Sequence, residues 1–158
     1  MEIERKFDIS RLLVSNIPIN DIGQAIEQGY VISKKDVEMR IRRIDGRCFI
    51  TVKSDGTLSR KEWEQEIPEW VYQSLCVKVI GNFVKKMRHS IYYGKLKIEI
   101  DIFVGNLHGL VLMECEFTNE ETAKTFVLPP WAQGAIDVTD DKRFKNKNLA
   151  LHPEAIKS

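Results

Sequence analysis

The residues of this 158-residue chain that could do chemistry recur as charged sets spaced two apart. Glu2, Glu4 and Lys6 form the first set, and Arg40 and Arg42 the second. Glu62, Glu64 and Glu66 follow, then Lys86 and Arg88, then Lys97, Glu99 and Asp101, and last Glu114 and Glu116. In an extended strand, side chains two apart project from the same face, so each set lines one face. The alternate positions are apolar or mixed: Ile3 and Phe7, Met39 and Ile41, Ile98 and Ile100, Met113 and Cys115. Clustered Lys and Arg suit an oligophosphate, because guanidinium groups grip phosphate oxygens in pairs and an ammonium acts as a point charge. Clustered carboxylates suit a hard divalent cation such as Mg²⁺ or Mn²⁺. A polyanion bridged by metal would neutralise both sets at once.

A second reading of the same pattern is a half-solvated antiparallel sheet whose polar side faces water. The two readings differ in what they ask of the charges. A solvated face usually mixes signs with Ser, Thr and Gln, whereas here the acids and bases sit on separate strands. Like charges side by side repel and need a partner of opposite sign. A sheet that turned its charged side inward would supply one.

The positioning elements read mostly as hairpins. Strands are expected at Glu2 to Asp8, Tyr30 to Ser33, Val37 to Ile44, Arg47 to Ser54, Arg60 to Ile67, Phe83 to Tyr92, Leu96 to Val104 and Gly109 to Thr118. Asp45-Gly46, Asp55-Gly56 and Gly94-Lys95 are the turn signals between them. Helices are expected at Asn20 to Gln28, Glu69 to Ile80, Glu120 to Phe126 and around Arg143 to Leu151. The fold class predicted is α+β: an eight-stranded antiparallel sheet closed into a barrel, or tunnel, with a charged interior and helices packed outside. No repeat or linker interrupts residues 1–158, which read as a single domain.

Composition excludes several classes. Lys and Arg number 24 against 23 Asp and Glu, a net charge of +1, so no bulk field recommends a nucleic-acid or membrane partner. No apolar run approaches the roughly 18 residues of a membrane span. The acidic start, Met1-Glu2-Ile3-Glu4, is unlike a signal peptide. Three scattered cysteines (Cys48, Cys76, Cys115) suggest reduced, mostly buried thiols in a cytoplasmic protein. His89, His108 and His152 lack ligand spacing, and Trp63, Trp70 and Trp131 are expected to pack helices on the outside of the sheet.

The ordered motifs resemble the CYTH superfamily, the triphosphate tunnel metalloenzymes, which joins class IV adenylate cyclases and thiamine triphosphatases. Its ExExK strand corresponds to Glu2-Ile3-Glu4-Arg5-Lys6. Gln28-Gly29-Tyr30, Arg40-Ile41-Arg42, Thr51-Val52-Lys53-Ser54 and the run from Arg60 to Ile67 follow in order. Lys86-Met87-Arg88, Glu99-Ile100-Asp101, Glu114-Cys115-Glu116, Pro130-Trp131 and Arg143-Phe144 complete a match over nearly the whole chain. Ile98 before Glu99, and Ala132-Gln133-Gly134 after Trp131, depart from the family pattern without touching the charged set. The resemblance implies a tunnel that binds triphosphate compounds with Mg²⁺ or Mn²⁺. Lys6, Arg40, Arg42, Lys53, Lys86, Arg88 and Arg143 would line the phosphate path, and Glu2, Glu4, Asp101, Glu114 and Glu116 would be metal ligands. Glu62, Glu64 and Glu99 would support them.

The activity expected is hydrolysis of a triphosphate, inorganic triphosphate first, then thiamine or nucleoside triphosphates. Glu4, Lys6, Tyr30, Glu114 and Glu116 are the candidate catalytic residues. Lys6 and Tyr30 are considered as an activating pair, since a nearby ammonium lowers a phenol's pKa. An adenylate cyclase and a non-catalytic polyphosphate- or nucleotide-binding module are the alternatives. The partner expected is a small-molecule triphosphate, with neither nucleic acid nor membrane, and a homodimer is left open.

Overall fold

The computed structural model describes residues 3–54 and 61–156. Glu2, the expected Asp55-Gly56 turn and the start of the strand expected from Arg60 lie outside the described residues. The strands are β1 (Ile3–Asp8), β2 (Gln24–Ser33), β3 (Val37–Ile44), β4 (Arg47–Ser54), β5 (Glu62–Ile67), β6 (Ile80–Tyr93), β7 (Leu96–Val104), β8 (Val111–Phe117) and β9 (Ile136–Asp137). The α-helices are α1 (Glu69–Cys76), α2 (Glu120–Lys124) and α3 (Asn146–Leu151).

These strands form a nine-stranded sheet in the order β5-β4-β3-β2-β6-β7-β8-β1-β9, with its assigned pairings antiparallel. This overturns the expected closed eight-stranded barrel. The sheet is open, and its edges are β5 and the short β9. The expectation of closure rested on the need to remove exposed edges, and here the edges are blunted differently. The outer strand β5 carries Glu62, Glu64 and Glu66, and β9 has only two residues. Charge and brevity both discourage edge-to-edge pairing.

The chain divides into two compact units: Met1–Gln24 with Lys86–Asp141, and Ala25–Lys85 with Lys142–Ser158. In the first unit, β1, β7 and β8 pair so that Phe7, Ile98, Ile100, Met113, Cys115 and Phe117 bury one common face. Phe126 and Trp131 pack against that core. A fully buried side chain of this size contributes about 1.5–3 kcal/mol. Short α2 is capped by Asn119, whose side chain accepts from the Thr122 amide. The Arg5 guanidinium, 4.9 Å from the Phe7 ring centroid, donates to the Ala123 carbonyl (2.9 Å) and to Asp137 (2.8 Å), tying β1 to α2 and β9.

In the second unit, Ile41, Cys48 and Tyr72 form a smaller core, with Ile50, Leu75, Val79 and Phe83 against it. The β3–β4 hairpin turns at Asp45-Gly46 with φ of 48° and 85°, the left-handed pair that a two-residue turn requires. Gly29 serves close approach instead: a Cβ there would come within 2.8 Å of Val79 Cγ1. Tyr72 is fully buried on α1, and its hydroxyl donates to Glu27 (2.8 Å).

Two local expectations give way. Residues 24–28 are strand, not helix, because Ile26, Gln28 and Tyr30 are buried at period two and pair along β3. The helix expected through Ile80 ends at Cys76, and the chain enters β6 after Val79 packs over Gly29. The tryptophans also divide. Trp131 packs, but Trp63 and Trp70 are 54% and 71% exposed. The three cysteines are free thiols. Among the described residues no helix is long and apolar enough to cross a membrane.

Candidate active site

The polar face of the first unit is set by strand register. Across β1 and β8, Glu4 pairs with Glu116 and Lys6 with Glu114, while across β7 and β8 Glu99 pairs with Glu114. Directly paired residues share a face, so Glu4, Lys6, Glu99, Glu114 and Glu116 converge on one side. Lys6 Nζ lies 3.4 Å from Glu114 Oε1, and Arg88 NH1 lies 3.3 Å from Glu99 Oε2. Glu4 titrates above the ordinary carboxylate range. Burial is the first cause and the charge of Glu114 the second, with Glu99 adding to them against Lys6 and Arg88. Lys6 and Arg88 do not fully offset the burial of Glu4 and its repulsion by Glu114 and Glu99.

Deeper on this face, Asp101 is 1% exposed and Lys86 is 3% exposed. Lys86 Nζ donates to Asp101 Oδ2 (2.7 Å), Arg88 Nε donates to Oδ1 (2.8 Å), and Arg88 NH2 donates to Oδ2 (2.8 Å). Burial by itself would raise the Asp101 carboxyl, but the Arg88 hydrogen bonds and the two cations outweigh it and hold the group below its usual pKa. Burial lowers the Lys86 ammonium, with Asp101 acting against that shift. Both oxygens of Asp101 are thus committed to cations. Among the described residues, no three His, Cys, Asp or Glu side chains are already gathered closely enough to hold a metal ion.

The polar face of the second unit carries Arg40, Arg42 and Lys53 together with Glu38, Glu62 and Glu64. Gln28 pairs with Arg42 and Tyr30 with Arg40 across β2 and β3; Arg40 then pairs with Thr51 across β3 and β4. Lys53 stands between Glu38 and Glu62 in the same registers, and Thr51 is opposite Glu64. Arg42 NH2 is 3.7 Å from Glu64 Oε1. Burial raises the Tyr30 phenol pKa, with Arg40 working in the opposite direction. That shift is the reverse of the lowered phenol expected of an activating pair, and it leaves Tyr30 a neutral donor. Gln28 Nε2, Arg40 Nε and Thr51 Oγ1 are buried without a hydrogen-bond partner among the described residues. An unmet buried polar group costs about 1–3 kcal/mol.

Arg143 lies in the 3₁₀ turn Lys142–Phe144, exposed, and donates to the Ala155 carbonyl (3.3 Å). Sequence reading passed over Glu38, which has Lys147 Nζ 4.0 Å away. Its spacing two before Arg40 was the available signal.

No protein-family profile matches the chain. The chain is 40% identical over 156 residues to the inorganic triphosphatase of Nitrosomonas europaea, covering 95% of this chain and 97% of that protein. It is 32% identical over 157 residues to the inorganic triphosphatase of Acetivibrio thermocellus, covering 96% and 94%. A crystal structure of an inorganic triphosphatase superposes with a TM-score of 0.77 at 35% identity, over 96% of this chain and 95% of that one. The chain belongs to the CYTH superfamily of triphosphate tunnel metalloenzymes. In this CYTH chain Ile3 to Lys6 of the ExExK motif lie in β1, and Glu2 lies outside the described residues. Its parity puts Glu4 and Lys6 on the acidic face and Arg5 in the contacts with α2 and β9.

Proposed function

We propose that this protein is a divalent-metal-dependent hydrolase that releases phosphate from inorganic triphosphate. The observation that carries the reading is the 40% identity, over 95% of the chain, to a protein named inorganic triphosphatase. The chemistry of the two polar faces agrees with it.

The donor set fits a hard cation. Glu4, Glu114 and Glu116 supply oxygen ligands of the kind Mg²⁺ and Mn²⁺ prefer, with Glu99 beside them. Glu4, Glu99, Glu114 and Glu116 stand together on one face, and a divalent ion would relieve their mutual repulsion. When bound, such an ion neutralises phosphate oxygens and makes water a better nucleophile. Asp101 is assigned to holding Lys86 and Arg88 in place and ionised, because its oxygens already accept from both.

Arg40 and Arg42 bind phosphoryl oxygens, and Lys6, Lys53 and Arg88 add positive charge where charge develops on phosphate. Tyr30 donates a hydrogen bond from a neutral hydroxyl. Glu62 and Glu64 orient the basic residues of their unit.

The test is product analysis with the purified protein and Mg²⁺ or Mn²⁺. Free phosphate released from inorganic triphosphate is the expected result. Cyclic AMP and pyrophosphate formed from ATP without phosphate release, or tight binding without turnover, would overturn the reading.

A further inference from the structure

Two donors that the proposed chemistry leaves unused lie on the same face as Arg40 and Arg42. Gln28 and Thr51 are each 1% exposed. Gln28 Nε2 and Thr51 Oγ1 meet no hydrogen-bond partner among the described residues, and neither does Arg40 Nε. Register puts the three side by side: Gln28 opposes Arg42, Tyr30 opposes Arg40, and Arg40 opposes Thr51. Cross-strand partners project together, so an amide, a guanidinium and a hydroxyl occupy neighbouring places on three adjacent strands.

The sheet does not require polar groups at these positions, because the backbone completes the ladder and Leu or Val would fill similar space. Interiors normally satisfy such atoms. Three of the unmet atoms, those of Gln28, Arg40 and Thr51, share one face beside cations, and all three can donate. The group that would satisfy them together is one rich in acceptors and poor in donors. A phosphoryl group has only acceptor oxygens.

We propose that the Gln28 carboxamide and the Thr51 hydroxyl donate hydrogen bonds to phosphoryl oxygens of the bound triphosphate, as binding residues beyond the charged set. The proposal rests on the triphosphatase reading above. Neutral donors add direction to the pull of Arg40 and Arg42 without adding charge. The substrate would then be held by geometry as well as by Coulomb attraction.

The experiment uses Gln28→Leu, Gln28→Glu, Thr51→Val and Thr51→Ser in the full chain. It compares melting temperature with and without inorganic triphosphate in the absence of metal, and KM and kcat with Mg²⁺. Without ligand, Gln28→Leu and Thr51→Val are expected to melt at or above the wild-type temperature, since each removes an unmet buried polar group. Their melting-temperature rise on adding triphosphate should fall by at least half, and KM should increase at least fivefold. Gln28→Glu should lose more than Gln28→Leu, because a carboxylate then faces an anion. Thr51→Ser should stay near wild type. A purely structural role would lower the melting temperature and leave the ligand-induced rise alone.

Wild-type KM and wild-type ligand-induced shifts in Gln28→Leu and Thr51→Val would overturn the inference, and water would then be the partner of both groups. If Gln28→Leu folds poorly, the Thr51 pair decides. Affinity that follows the hydroxyl supports the proposal, and affinity that follows the methyl overturns it. A wild-type protein that releases no phosphate from triphosphate sinks the hydrolase reading itself. Turnover by the wild type, matched by Gln28→Leu and Thr51→Val, sinks only this inference.

Discussion

Lys6 and Glu114 face each other directly across the β1–β8 pairing, with Nζ 3.4 Å from Oε1. Glu114 has a second opposite number, Glu99, on β7. Glu4, on the same face, has its pKa raised first by burial and then by the charge of Glu114, against Lys6 and Arg88.

The sign of that shift fixes a pH prediction. A carboxyl whose folded pKa lies above its unfolded value binds its proton more tightly when folded. Its contribution to stability is complete below the unfolded value, near 4.5, and is lost as pH rises through the folded pKa. Glu4→Gln should therefore raise the melting temperature of the metal-free protein at pH 7. It should also abolish most of the rise that Mn²⁺ gives the wild type, and reduce turnover at least a hundredfold. Melting curves with and without Mn²⁺ check this; equal Mn²⁺ responses would remove Glu4 from the metal site.

Asp101→Asn leaves the buried Lys86 against a neutral group, while the half-buried Arg88 keeps Glu99. Breaking a buried charge pair costs about 3–5 kcal/mol. Urea unfolding should lose that much, and the melting temperature should drop by roughly 10 °C for a chain of this size. Wild-type stability in Asp101→Asn would show that the cations do not depend on this carboxylate.

Arg40→Ala should raise KM for inorganic triphosphate or lower kcat by about tenfold or more, since a charge-assisted pair of hydrogen bonds is removed. Arg42→Lys should not rescue the wild-type constants, because an ammonium lacks the planar fork. Steady-state kinetics across a range of triphosphate concentrations reads both; unchanged constants in Arg40→Ala would take it off the phosphate path.

Tyr30 titrates above its ordinary value of 10, so its hydroxyl keeps its proton throughout the neutral range. Tyr30→Phe is expected to lower kcat about tenfold while leaving the shape of the pH–rate profile between pH 7 and 9 unchanged. An alkaline-side inflection present in the wild type and absent in Tyr30→Phe would show instead that the phenolate is the working form.

Which residues share a strand face was legible because a strand has a period of two. Val37 to Ile44, Arg47 to Ser54 and Leu96 to Val104 are strands with the bounds expected of them. Their parity alone sorts Arg40 with Arg42, and Glu99 with Asp101, from the apolar alternates. Residues 20–28 suit a helix equally well, through Ile22, Ile26 and the polar residues between them. Ile22 is 95% exposed, and the pairing of Ile26, Gln28 and Tyr30 with β3 settles the matter.

Face and charge sign were thus written in the chain itself, since alternation is a local property of the backbone. Partnership was not. Only register decides that Asp101 is taken by Lys86 and Arg88 while Glu4 is left crowded by other acids, and that Gln28 and Thr51 come beside the arginines with donors unmet. Whether the sheet closes was likewise beyond local reading. The two-residue strand at Ile136–Asp137 carries no periodic signal, yet it lies along β1 and forms one edge of an open sheet. Such pairings join residues far apart in sequence, and their energies depend on who is opposite whom, which no stretch of sequence specifies alone.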